Sequence, residues 1–122
     1  MPTNKEVVDL ANAAFRKGDM QAFLDLCADD FEWEMVGGDF HVKGKAHANE
    51  EFKNMPECPP PTFSIDREFV SDNRVMCEGR LKMEMPNDIV WEAFYCDIYD
   101  LEDGKIKSLR TYAVDIKQDK PE

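Results

Sequence analysis

The stretch Ile89–Leu101, IVWEAFYCDIYDL, decides the fold. Trp91, Ala93, Tyr95, Tyr99 and Leu101 recur at every second position, the period of a β-strand with one buried face. Four residues of opposite parity, Val90, Phe94, Cys96 and Ile98, are apolar too, so this part of the sheet is apolar on both sides. Asp97 alone breaks the inward row. A carboxylate among aromatic edges loses much of its hydration. It is therefore either an internal ion pair, with Arg80 or Arg110 snorkelling around the sheet, or a proton-carrying group put to use.

Turn signals divide the C-terminal half into four extended runs: Thr62–Val70, Arg74–Met85, Ile89–Leu101 and Lys105–Asp115. They are separated by Asp72-Asn73, Pro86-Asn87-Asp88 and Asp103-Gly104, residues suited to tight turns. Upstream the period changes to that of helices. Thr3-x-x-Glu6 has capping-box spacing, and Val7, Leu10, Ala11, Ala14 and Phe15 form an apolar stripe that stops at Gly18, giving a helix over 4–17. Asp19 caps a second, short helix with Met20, Phe23, Leu24 and Cys27 on one side, ended by Asp29-Asp30. Phe31, Trp33 and Met35 alternate as a strand that breaks at Gly37-Gly38, and a loop follows through His41. Lys45–Asn54 is a third, rather polar helix, and the proline run that contains Cys58 is a stiff connecting loop with an accessible thiol. Helices first and an antiparallel meander last is an α+β pattern.

The chain has 122 residues, 43% of them hydrophobic, which suits one domain over 1–122 with a single core. Twenty-six acids against 15 bases give a net charge of −11, the wrong sign for nucleic acid or an anionic membrane. No apolar run of about 18 residues is present to span a bilayer, and MPTNKEVVDL lacks the features of a signal peptide. A cytoplasmic protein is expected. Cys27, Cys58, Cys77 and Cys96 show no Cys-x-x-Cys spacing and are read as reduced thiols. His41 and His47 are too few and wrongly spaced for a histidine metal site, and neither a metal nor any other cofactor is expected. A glycine-rich phosphate loop is lacking, so phosphorylated substrates fit poorly.

Several short motifs in a fixed order carry a resemblance: Gly18-Asp19 between two helices, Ala28-Asp29-Asp30-Phe31-x-Trp33, Val42-Lys43-Gly44-Lys45 opening the third helix, and Asp97-Ile98-Tyr99-x-Leu101-x-Asp103-Gly104-Lys105-Ile106 leading into Leu109-Arg110-x-Tyr112. Over nearly the whole chain the sequence resembles the SnoaL-like and ketosteroid-isomerase-like members of the nuclear transport factor 2-like superfamily. The resemblance implies three helices packed on a curved antiparallel sheet, forming a cone with an internal apolar pocket. It also places Asp97 where ketosteroid isomerases hold a protonated aspartic acid that hydrogen-bonds an oxyanion. The isomerase's general-base position falls on Met35 and its oxyanion tyrosine on Ala11, so steroid isomerisation by that mechanism is not expected.

The candidate catalytic group is Asp97, assisted by Tyr95 or Tyr99 on the same face or by His41 at the pocket rim. Asp115, at the end of its strand, is either a cavity acid or a solvated one. The expected ligand-lining wall comprises Phe31, Trp33 and Met35 with Phe15 and Phe52, facing Met83 and Trp91. Leu109, Thr111 and Ala113 complete it. Such a wall suits a small, largely apolar organic ligand. On the other face, Val90, Phe94, Ile98, Ile106, Tyr112 and Val114 form an apolar patch that a second copy would cover, which predicts a homodimer. Two functions are compatible with this pattern. One is a cofactor-independent isomerase, cyclase or dehydratase; the other is a non-catalytic homodimeric ligand-binding module of the same fold.

Overall fold

A computed structural model of the chain describes residues 3–55 and 59–116. Helix α1, Asn4–Lys17, begins as its sequence dictates: Thr3 Oγ1 accepts from the Glu6 amide at 3.1 Å and Glu6 Oε1 accepts from the Thr3 amide at 3.3 Å. It ends at Gly18, whose φ of 70° is left-handed and whose missing Cβ would lie 3.0 Å from the Pro60 ring. The buried stripe is Val7, Val8, Ala11, Asn12 and Ala14. Leu10, expected inside, is 53% exposed, because the helix turns its Val8–Asn12 edge to the sheet instead.

Helix α2, Met20–Asp25, is capped by Asp19 and stops well before the expected Asp29-Asp30. Cys27 already opens β1, Cys27–Met35, where its thiol donates to the Phe23 carbonyl at 3.3 Å. His41 lies on a short strand, β2, His41–Lys43, rather than in a loop. Helix α3 covers Lys45–Asn54 as expected. The predicted run 62–70 is two strands, β3, Thr62–Phe63, and β4, Arg67–Ser71, both paired with β5, Arg74–Met85. Between them the Ser64 carbonyl passes directly over Gly79, where any Cβ would come within 2.0 Å of it. Strands β6, Ile89–Glu102, and β7, Lys105–Asp115, complete the meander.

The sheet order is β2-β1-β7-β6-β5-β3, with β4 beside β5. Strands β5, β6 and β7 are antiparallel as read from the sequence, but β1 joins β7 in parallel, so the sheet is mixed rather than antiparallel throughout. Parallel neighbours need a long connection, which the intervening strands supply here. Three helices lie against this open sheet, and the core between them includes Val7, Val8, Phe23, Phe31, Tyr99 and Leu109. A register shift between Asp100 and Leu101 swings Ile106 into this core, where it is fully buried. Ile106 is thereby removed from the outer apolar patch to which strand parity assigned it.

Candidate functional site

Asp97 sits in the middle of the sheet's inner face, flanked across the strands by Cys77 on β5 and Thr111 on β7. Thr111 Oγ1 donates to Asp97 Oδ1 at 2.7 Å, and the Trp33 indole Nε1 donates to Thr111 Oγ1 at 3.1 Å. The aspartate is not an ion pair with either candidate arginine. Arg110 lies 3.8 Å from Glu34 and stacks on Tyr112, while Arg80 stacks on Phe94. Burial pushes the Asp97 carboxyl up to about 6, and the Thr111 hydrogen bond only partly opposes it.

Asp97 as a residue is only half-buried. Its second oxygen, Oδ2, accepts no hydrogen bond among the described residues, yet it is not among the fully enclosed unpartnered atoms, a class that holds Tyr99 Oη alone. Oδ2 therefore keeps some accessible surface.

The two tyrosines flank Asp97 on β6 and behave differently. Tyr95 pairs across the sheet with Gly79, and its hydroxyl donates to the Ser64 carbonyl at 2.7 Å. Tyr99 is fully buried, and its hydroxyl has no hydrogen-bond partner among the described residues. Burial, reinforced by the neighbouring Asp97 charge, raises both phenols well above their ordinary value, so both stay neutral. His41 is not gathered into this group. It pairs with Glu34 across β1 and β2 on the opposite face, is exposed, and lies 3.1 Å from Glu32. Asp115 is also exposed and accepts from the Trp91 indole at 2.6 Å.

The expected aromatic wall packs largely on itself. Trp33 touches Phe15, Phe23, Phe40 and Phe52 with ring centroids 5.1–6.0 Å apart, and Phe31 meets Phe23 edge-on. Leu109, Thr111 and Ala113 do face inward beside Tyr99, Asp97 and Tyr95, with Met35 next to Thr111 and Met83 opposite Trp91. Two surface clefts are present elsewhere. One, of about 330 Å3, lies at the β5–β6 turn beside Met85, Pro86 and Ile89; the other, about 290 Å3, runs outside β1 and β7 past Glu32, Glu34 and Arg110. Neither contains Asp97.

Sequence reasoning took Cys77 only as a reduced thiol and did not single out Asn12. Asn12 Nδ2 reaches Cys77 Sγ at 3.9 Å, and that thiol lies 3.6 Å from Glu68 Oε2, whose companion oxygen Oε1 is 3.4 Å from Lys5 Nζ. Burial drives the Cys77 thiol up to about 12, so it is a neutral neighbour and not a nucleophile. The legible signal was Asn12, four residues after buried Val8 and hence on the helix face turned to the sheet.

The family profile of the SnoaL-like domain matches residues 7–109. The chain belongs to the SnoaL-like family. A search of curated protein sequences finds no match. Among solved structures, the SnoaL-like chain is similar to an NTF2-like protein of unknown function from Burkholderia pseudomallei, with TM-score 0.83 and 16% identity over 93% of this chain and 92% of that one. An M. tuberculosis LEH-like epoxide hydrolase superposes with TM-score 0.78 at 17% identity, covering 91% of this chain and 82% of the other. A Xanthomonas campestris protein with a provisional polyketide-cyclase name gives TM-score 0.77 at 20% identity, over 89% and 88%. At such identities the likeness establishes the NTF2-like fold, which hosts unrelated chemistries.

Proposed function

We propose that this SnoaL-like protein binds a small, largely apolar organic molecule against Asp97 and acts on it by acid-base chemistry. One observation carries the reading: a carboxyl pushed up to about 6 by burial, held through one oxygen by Thr111 and open through the other. Near neutral pH such a group exists in both forms, the condition under which a side chain exchanges protons with substrate efficiently. Protonated Asp97 polarises a carbonyl or assists departure of a hydroxyl, as an isomerase, cyclase or dehydratase requires. The carboxylate left behind then removes a proton from the carbon beside the reacting centre, which restores the acid. The steroid-isomerase mechanism is not proposed, since Met35 and Ala11 lack the groups it needs.

A second reading is favoured by what surrounds Asp97. Its hydrogen-bond partner among the described residues is Thr111 and not a second titratable group, which suits a ligand-binding module that performs no turnover. The two separate in one experiment. Cyclohexanone in D2O is followed by proton NMR for deuterium uptake beside the carbonyl, with wild type and Asp97→Asn compared from pH 5 to 8. Uptake above buffer that disappears in Asp97→Asn supports catalysis. Asp97-dependent shifts without uptake support the binding module, and an Asp97 pKa below 4 removes the basis of both.

We further propose that the outer sheet face pairs with a second copy and that the protein works in the cytoplasm. The dimer is supported by Phe94, opposite Val114, and by Tyr112, opposite Cys96, exposed beside Val90, with Ile98 half-buried among them. The compartment is supported by three free cysteines, Cys27, Cys77 and Cys96, among the described residues. No helix among the described residues is long and apolar enough to cross a membrane.

A further inference from the structure

We infer that Trp33 and Thr111 act as positioning residues that confine the proton of Asp97 to Oδ2, so that the site presents a hydrogen-bond donor and takes a ligand offering a neutral acceptor oxygen. The inference rests on the reading of Asp97 as a protonatable ligand-binding group. Its geometry is a chain of three side chains from β1, β7 and β6. An indole N–H can only donate, so at 3.1 Å it makes Thr111 Oγ1 an acceptor. The 2.7 Å contact between Thr111 Oγ1 and Asp97 Oδ1 holds one hydrogen.

That hydrogen belongs to either group. Were it carried by Asp97 Oδ1, the Thr111 hydroxyl hydrogen would need another acceptor. Thr111 is 7% exposed, and the described residues give its oxygen no third partner. A buried hydroxyl left without an acceptor is strongly disfavoured. The hydroxyl therefore donates to Oδ1, and a proton taken up by the carboxyl resides on Oδ2, the oxygen with accessible surface. Carbonyl, ether and epoxide oxygens match such a donor; a carboxylate ligand faces repulsion once Asp97 ionises.

The other groups near Asp97 do not offer a competing route. Cys77 on β5 and Tyr95 and Tyr99 on β6 are all raised and neutral. Glu68 on β4 lies beyond Cys77 and is engaged by Lys5, while Arg16 of α1 and Asp66 of the β3–β4 connection act on Tyr95. Asn12 of α1 bonds to the Cys77 sulfur.

The experiment is a carbon-detected NMR titration of Asp97 together with the Trp33 indole resonance, in wild type, Thr111→Val, Thr111→Ser and Trp33→Phe. The indole signal is assigned by its loss in Trp33→Phe. The wild-type indole is expected to titrate with the Asp97 midpoint. Thr111→Val should raise that midpoint by about one unit and uncouple the indole. Thr111→Ser should restore both, and Trp33→Phe should raise the midpoint by less than Thr111→Val. An Asp97 midpoint near 6 that Thr111→Val leaves unmoved, or a serine variant that behaves like valine, overturns the relay while leaving the acid reading intact. If Thr111→Val does not fold, a Trp33→Phe midpoint equal to wild type, or an indole that ignores Asp97, overturns it equally. A wild-type midpoint below 4 instead overturns the underlying reading of the site.

Discussion

At the residue scale the protein is governed by one carboxyl in a place that disfavours its charge. Because the folded chain holds the Asp97 proton more tightly than the unfolded chain, this group stabilises the fold fully below pH 4. That contribution is lost as pH rises from about 4 through 6. The shift from 3.8 to about 6 corresponds to a contribution on the order of 3 kcal/mol. Asp97→Asn keeps an acceptor for Thr111 and removes the charge, so urea midpoints should show it gaining on wild type by a few kcal/mol between pH 4 and pH 8. A difference between the two proteins that does not change with pH would contradict a buried, raised carboxyl. The identity of Asp97 as the anomalous residue was legible from strand parity alone. Its partners were not, because Trp33 is 78 residues from Thr111 in sequence and only the β1–β7 pairing joins them.

At the element scale the backbone around the site depends on a glycine that ordinary pattern reading treats as unremarkable. Gly79 lets the Ser64 carbonyl approach β5, and that carbonyl accepts the Tyr95 hydroxyl directly opposite Gly79. A Cβ 2.0 Å from a backbone oxygen cannot be accommodated without moving the β3–β4 connection. Gly79→Ala should therefore destabilise by about 2–4 kcal/mol and free the Tyr95 phenol, seen as a red-shifted ultraviolet spectrum at lower pH than in wild type. An alanine variant with wild-type stability would show that the connection repacks freely. The elements themselves were legible where their signals are local: the Thr3 capping box, the Gly18 stop, helix α3 and strands β5 and β7 fall where turn residues and periodicity put them. The break between β3 and β4 was hidden, since its cause is a contact made across 15 residues.

At the scale of the whole molecule, the outer sheet face sets the expected assembly. Val114 is 67% exposed and Phe94 47%, on a face where a monomer gains nothing from apolar side chains. Light scattering at micromolar concentration should give twice the 14.1 kDa chain mass. Phe94→Lys combined with Val114→Lys should halve that mass while leaving the Asp97 titration in place. A monomeric wild type would refute the pairing. The strong negative charge should make the dimer firmer as salt screens repulsion between copies.

From the amino-acid sequence came most of the elements, their order and the presence of one misplaced acid, because capping, turn chemistry and side-chain periodicity act over a few residues. Tertiary structure alone decided that β1 runs parallel to β7, that Ile106 turns inward at a register shift, and that His41 lies on the far face from Asp97. It also decided which oxygen of Asp97 is held and which is free. These outcomes follow from long-range strand pairing, where a one-residue change of register reverses the face of every side chain that follows.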